Sequence, residues 1–548
     1  MVDLLHDNLT RSALKTPDQV AFHCGNNSVT YAELDDRSAR LATVLRDRGV
    51  RPGDRVAVRL PAGVESPISV YGVMKAGAAM VPVDPSAPPS RLCSILRSGR
   101  IRHLITTKLA DSALDELDRC ATPLQHVIGV EGTDWPTLAF TPWSALDAVD
   151  PIDPIPLDRT QPAYVIFTSG STGTPKGIVH SHYSGNSYAR LSVKTYGVTG
   201  DDRVANLSPL HFDMSTFGYY SAVMAGATTV LIPPSYSMLP ASLSSLIESQ
   251  RITIWYSVPF ALVQLLQRGV PEQRDLSSLR WILYGGEPLA PRHAQQLRRV
   301  LPDAWISNVY GPAEVNQCTY FHIAPTSQGG PKELSERPIP IGTLWEQTEG
   351  LILDPLDQVV QEKGVGELLV HSSTMMTRYW HLGCDDPVTF YFDLNSGKRF
   401  YRTGDLVRRG DDGELEFLGR IDRQVKVRGY RIELDEVEHA IAQHPAVVEA
   451  AAFCVSANET GRLLAAVTLQ DSSPSETSDL KKQLAEQLPP YAVPEHLFVR
   501  DTFPRTTSGK IDRLKLTLEY NAFPDSTTDR GVTSDPAGGS AVPRQRPR

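Results

Sequence analysis

Tyr164-Val165-Ile166-Phe167-Thr168-Ser169-Gly170-Ser171-Thr172-Gly173-Thr174-Pro175-Lys176-Gly177 is the stretch from which the fold is read. An apolar run suited to a buried strand breaks into a loop of small hydroxyl residues and glycines, and Lys176 closes it. Glycines let a backbone turn tightly and bring its N–H groups close to a ligand. Hydroxyls and a lysine in the same loop suit oxyanions, phosphate above all. A flexible Ser/Gly turn has the same composition. The nucleotide loop G-x-x-x-x-G-K-[ST] does not fit, because Thr174 and Pro175 separate Gly173 from Lys176 and Gly177 stands where Ser or Thr is required.

A chain of 548 residues exceeds one comfortable core, so at least two domains are expected. Hydrophobic content of 41% and a mean hydropathy of −0.22 describe an ordinary soluble protein. No apolar run approaches the roughly 20 residues of a membrane span, so no membrane partner is expected. The start, Met1-Val2-Asp3-Leu4-Leu5-His6, lacks the basic and apolar segments of a signal peptide. Six cysteines without C-x-x-C spacing speak against a structural zinc and a disulfide framework, which makes the expected compartment cytoplasmic. A net charge of −9 offers no basic footprint for nucleic acid.

In order, the chain reads as α/β. Thr30 with Glu33 makes a capping box for a helix running through Leu34, Leu41 and Leu45 to a stop at Gly49. Arg55 to Leu60 alternates polar and apolar as a half-buried strand does. Met74 to Pro85 packs small residues ahead of a short strand. Residues 145–162, rich in Pro and Asp, form a connection. Apolar runs at Thr228–Ile232, Ile252–Tyr256 and Trp281–Tyr284 alternate with helical stretches, the pattern of sheets with crossover helices. Gln328 to Pro340 reads as a further loop. Residues 521–548 carry no hydrophobic periodicity and are expected to be disordered.

Six later motifs bear chemistry. Trp281 to Glu287 is a strand ending in Gly285-Gly286-Glu287, where glycines admit a flat ring or simply a tight turn. Asn308-Val309-Tyr310-Gly311-Pro312-Ala313-Glu314 joins an aromatic ring to a carboxylate. Thr403-Gly404-Asp405 is a turn whose carboxylate suits a vicinal diol, since both hydroxyls can donate to it. Gly419 to Leu434 is basic and alternating, as a solvated edge strand often is. Arg420 follows Asp405 by 15 residues. Leu488 to Pro494 and Pro504 to Arg513, with Lys510, complete the set.

These motifs, in this order from Thr30 to Arg513, resemble the adenylate-forming enzymes: acyl-CoA synthetases, luciferases and the adenylation domains of nonribosomal peptide synthesis. The resemblance implies an adenylation core over residues 1–420, large, N-terminal and built from several sheets. It also implies a small mobile α+β domain over 421–520, with Asp422 as hinge. ATP and Mg²⁺ are the implied cofactors. Thr168, Ser169, Gly170, Ser171, Thr172, Gly173 and Lys176 would cradle phosphate, with Thr168 also catalytic. Gly285, Gly286, Glu287, Tyr310 and Gly311 would surround adenine, while Asp405 and Arg420 would hold the ribose side. Glu314 would hold the metal, and Lys510 would reach the reacting groups during adenylation. Ala313 departs from the family's usual threonine, which removes one hydroxyl from the phosphate contacts.

The resemblance also speaks to the acid. A bare carboxylate at His211-Phe212-Asp213-Met214-Ser215 repels a simple organic acid but pairs with an ammonium, and in amino-acid adenylation domains the matching aspartate holds the substrate's α-amino group. The remaining pocket positions implied by alignment are Met214, Phe217, Tyr256, Leu283, Gly285, Val309, Gln317 and Cys318. None is charged, which favours a small and mostly apolar side chain. Asp213, Tyr256, Leu283 and Cys318 together resemble prolyl adenylation enzymes. Gln317 requires a polar partner, in the protein or on a substrate bearing a hydroxyl or amide. No carrier domain is read after residue 520, so the expected partner is a separate peptidyl carrier protein with a phosphopantetheine arm. Basic Lys426, Arg428 and Arg431 are candidates to meet it. The alternatives are a small-acid CoA ligase of the same superfamily and a non-catalytic nucleotide-binding relative.

Overall fold

The opening apolar run forms a strand, Pro162–Thr168, paired antiparallel with Lys176–Ser181 so that Thr168 lies opposite Lys176. The computed structural model describes residues 3–131, 135–168, 175–233, 235–236, 239–360, 364–380, 382, 386–410, 412–457, 460–470, 474–506 and 510–521. Ser169, Gly170, Ser171, Thr172 and Gly173, expected to bind phosphate, lie outside these residues, as does the tail expected to be disordered except Asn521. The chain divides into two compact units. The larger ends at Asp422, and the smaller takes in Ser86–Arg91 and the described residues from Arg423 onward.

Among the described residues the larger unit holds sheets of nine, eight and five strands. In the eight-stranded sheet, Arg55–Arg59 lies between Ala79–Pro82 and His103–Thr106, parallel to both. Val56, Ala57 and Val58 are therefore all buried. The expected half-buried strand is corrected here, because a central parallel strand is covered on both faces whatever its polar flanks. The helix Tyr31–Asp47 begins at the expected capping box, with Glu33 N–H on Thr30 Oγ1 and Thr30 N–H on the Glu33 carboxylate.

The nine-stranded sheet positions the site. Its parallel core runs Trp305–Tyr310, Trp281–Gly285, Ile254–Ser257, Arg203–Asn206 and Thr228–Leu231 as spatial neighbours. Side chains alternate faces along a strand. Trp255, Ile282, Tyr284 and Ile306 thus join one core cluster, while Ile254, Tyr256, Trp281, Leu283 and Val309 join another on the opposite face. The five-stranded sheet is antiparallel and carries Asp405 on Lys398–Arg409 opposite Arg420 on Leu415–Arg420.

The smaller unit is α+β. Gln424–Val427 and Tyr430–Glu433 form a hairpin, turning at Arg428 (φ 53°) and Gly429 (φ 85°). Two positive φ values match the tight turn that a right-twisted hairpin favours. Val447–Ala457, Thr460–Leu469 and His496–Val499 make a three-stranded sheet, with helices at Leu434–Ala442, Pro474–Gln487 and Arg513–Tyr520. The expected class, an α/β core of several sheets followed by a smaller α+β domain, is the one the chain adopts.

Candidate active site

Strand order in the nine-stranded sheet reverses at Arg203–Asn206, which has Thr228–Leu231 on one side and Ile254–Ser257 on the other. Open α/β sheets bind ligands beyond the carboxyl ends of strands at such a reversal. The chain leaving Asn206 leads to a one-turn 3₁₀ helix, Asp213–Ser215. Asp213 is half-buried, and its Oδ1 accepts the Met214 amide at 2.9 Å. Burial raises the phenol pKa values of Tyr164, Tyr188 and Tyr256, and the Asp213 charge adds to the shift at all three. The carboxylate therefore lies within electrostatic reach of a buried aromatic group.

Five of the expected substrate positions share one hydrophobic cluster: Phe217, Tyr256, Leu283 and Val309 are buried in it and Met214 packs against it. Register explains the grouping, since Tyr256 lies opposite Leu283 and Gly285 opposite Val309 on adjacent parallel strands. Gly285 is sterically required, because a Cβ there would approach the Val309 carbonyl oxygen to 2.5 Å. Gln317 is buried and its Nε2 donates to Tyr196 Oη at 2.8 Å, so the amide is engaged within the protein. Tyr196 in turn stands edge-on to Phe217, with ring centroids 5.9 Å apart. Cys318 lies elsewhere, in the cluster around Tyr310 and Val315, with its Sγ 3.6 Å from the Tyr310 carbonyl oxygen.

The residues expected at adenine and ribose are joined. Tyr310 Oη donates to Asp405 Oδ2 at 2.5 Å, and Arg420 Nη1 donates to Asp405 Oδ1 at 2.5 Å. Arg420 also holds Asp422 through Nε at 2.6 Å and Nη2 at 2.5 Å. Burial, then the Asp405 charge, raises the Tyr310 phenol, which keeps it a donor. One buried carboxylate thus ties the aromatic strand end to the last residues before the unit boundary. Gly311 leaves no room for a side chain, because a Cβ would come within 2.4 Å of the Asn316 carbonyl oxygen. Gly286 turns the chain at φ 90° after the Trp281–Gly285 strand, and Glu287 beyond it is half-buried.

Glu314 is fully buried and accepts a hydrogen bond from Tyr379 Oη at 2.6 Å. The Lys176 ammonium lies 5.9 Å from the centre of the same Tyr379 ring. A carboxylate is the hard oxygen donor that Mg²⁺ takes, so Glu314 fits the expected metal. In the smaller unit, Lys510 is exposed on a pinned backbone. Its carbonyl accepts the Thr506 amide at 2.8 Å, and Arg505 pairs with Ile511. Arg428, considered above as a carrier contact, is ion-paired with Glu495 at 2.7 Å.

Three supporting residues are not among those the sequence singles out. Tyr196 and Tyr379 are aromatics that orient Gln317 and Glu314 from 121 and 65 residues away. His180, on the strand that begins at Lys176, stacks on Tyr164 with centroids 4.8 Å apart and sits 2.9 Å from the Ala313 carbonyl oxygen. Burial pulls its pKa down to about 4, so the neutral ring donates there. Its closeness to the loop lysine was the one available hint.

Residues 9–380 match the family model described as AMP-binding enzyme, and residues 436–510 match the AMP-binding enzyme C-terminal domain. The chain belongs to the AMP-binding enzyme family, and it is an AMP-forming ligase. It is 32% identical to an L-proline–[L-prolyl-carrier protein] ligase from Pseudomonas fluorescens, over 94% of this chain and 98% of that protein. It is also 31% identical to bacitracin synthase 1 from Bacillus licheniformis, over 93% of this chain but only 9% of that much longer protein. Its fold is similar to that of the amide bond synthetase McbA from Marinactinospora thermotolerans, with a TM-score of 0.81 and 24% identity over 94% of this chain and 99% of that one. Among the described residues no helix is long and apolar enough to cross a membrane.

Proposed function

We propose that this chain activates a small neutral L-amino acid, L-proline first, as its aminoacyl-adenylate and passes the acyl group to the phosphopantetheine thiol of a carrier protein. The observation that carries the reading is Asp213: a half-buried carboxylate on the segment that leaves the strand-order reversal, next to Met214 and near enough to Tyr256 for its charge to act on that buried phenol. It would receive the substrate ammonium, and Met214, Phe217, Tyr256, Leu283 and Val309 would line a short apolar cavity. Gln317, donating to Tyr196, makes no demand for a polar side chain on the substrate. The similarity to a prolyl-carrier protein ligase over nearly its whole length supports proline as the first choice.

In the proposed reaction, a substrate carboxylate oxygen bonds to the α-phosphorus of ATP while the bond to pyrophosphate breaks. Both partners are anionic, so catalysis rests on cations and donors arranged around the reacting phosphorus. Thr168, the loop that follows it and Lys176 would hold the phosphates, and Lys510 would bring a compact charge on a flexible stem. Glu314 would hold Mg²⁺, which supplies neutralising charge to the phosphates. Tyr310 would stack on adenine, and Asp405 would accept the ribose hydroxyls in place of Tyr310 Oη or Arg420. In the second half-reaction the carrier thiolate attacks the acyl carbon and AMP leaves. Asp422 is the proposed hinge between the two stages. Exchange of labelled pyrophosphate into ATP across the twenty amino acids tests the reading. Greatest exchange with proline supports it, a stronger response to valine, serine or glutamine removes proline, and exchange driven only by acids lacking an amine removes the amino-acid class.

A further inference from the structure

Cys93, Glu116 and Cys120 converge although nothing in their spacing announces it. Cys93 lies on the helix Pro89–Ser98, Glu116 on the helix Asp111–Arg119, and Cys120 caps the second helix. The Cys120 amide donates to the Glu116 carbonyl at 2.9 Å, a helical i, i+4 relation that puts both side chains on one face. Cys120 Sγ is 3.3 Å from Glu116 Oε1, and Cys93 Sγ is 3.6 Å from the Glu116 carbonyl oxygen. The two sulfurs and the carboxylate oxygen all lie within 4.8 Å of one another.

We infer that Cys93, Glu116 and Cys120 form a binding site for a thiophilic divalent cation of the Zn²⁺ class, separate from the Glu314 site. Tetrahedral zinc, with bonds of about 2.3 Å to sulfur and about 2.0–2.2 Å to oxygen, sets its donors roughly 3.5–3.8 Å apart. The observed 3.3 Å is within about 0.2 Å of that spacing, and closure by at most about 1 Å brings in any wider pair. Soft thiolates select such a cation over Mg²⁺, which the hard Glu314 carboxylate suits. Arg119, ion-paired with Glu116, offsets the excess negative charge of two thiolates and a carboxylate around a dication. The flanking residues Leu92, Leu96, Leu114 and Leu117 share one core cluster, so the cation would staple two helices already packed together.

The test titrates the reduced, untagged full chain with Co²⁺ and then Zn²⁺, followed by absorbance. One equivalent of Co²⁺ should give a thiolate-to-cobalt charge-transfer band with tetrahedral d–d intensity, displaced by one equivalent of Zn²⁺. The band should be lost in C93S and in C120S, unchanged in C454S, and retained with weaker binding in E116Q. Cys120 and Glu116 are half-buried, so C120S and E116Q keep the test valid if the buried C93S misfolds. Absence of a thiolate band in the reduced protein overturns the inference. So does a band that survives in C120S, or a Cys93–Cys120 disulfide as the pair's only chemistry.

Discussion

Asp213→Asn tests how the substrate amine is held, because it removes charge and little else. Oδ1 of Asp213 accepts the Met214 amide at 2.9 Å, and an asparagine oxygen keeps that bond and the 3₁₀ turn it supports. A carboxylate and an ammonium about 4 Å apart attract by roughly 4 kcal/mol at the effective dielectric of a partly buried site. Breaking one partner of a desolvated charge pair typically costs about 2–5 kcal/mol. The expected loss in kcat/KM for amino acids is therefore about 10²–10³-fold. KM for ATP should stay near wild type, since Asp213 is not among the residues proposed to hold the nucleotide. The assay is pyrophosphate exchange with L-proline and, beside it, tetrahydrofuran-2-carboxylate, which has the ring without the amine. Asp213→Asn should narrow the gap between the two acids. Wild-type efficiency for amino acids in the variant would refute the pairing and the substrate class built on it.

Lys510→Ala should lower adenylate formation by about 10²–10³-fold, the usual cost of one lost electrostatic stabiliser. Thioester formation from preformed adenylate should change far less, and equal loss in both half-reactions would remove the assigned role. Asp422→Pro should do the opposite, since proline fixes φ at the proposed hinge: exchange persists while carrier loading, followed by intact mass, falls. His6, His180 and His182 are fully buried, and burial pulls them to about 3, 4 and 4. Their folded pKa values lie below the unfolded value near 6.5, so their stabilisation is complete above that pH and is lost as pH falls from about 6.5 toward 4. The larger unit should lose about 3 kcal/mol between pH 6.5 and 5.5, read from urea midpoints, and a flat profile would show these rings protonated in the folded state.

Local chemistry was the legible part of the sequence. The capping box at Thr30 and the strand before the phosphate loop follow from short-range pattern, and motif order named Tyr256, Leu283, Gly285 and Val309, whose register only the fold supplies. What stayed hidden depends on distance along the chain. Arg55–Arg59 reads as alternating, yet its burial is decided by two partner strands that its own residues do not specify. Gln317 was ambiguous until Tyr196, 121 residues earlier, supplied its partner. Cys93 and Cys120 carry no ligand spacing because the two helices, not the linear sequence, bring their sulfurs together. Cys318 aligns with the pocket but turns toward Tyr310, a direction that side-chain packing decides.

The most direct test of amino-acid adenylation is a single-turnover quench with ATP, Mg²⁺ and labelled L-proline, resolved by mass spectrometry. Prolyl-AMP should appear in step with pyrophosphate, and its label should then move to the thiol of an added phosphopantetheinylated carrier. Release of ADP and phosphate, or pyrophosphate formation indifferent to any amino acid, would contradict it.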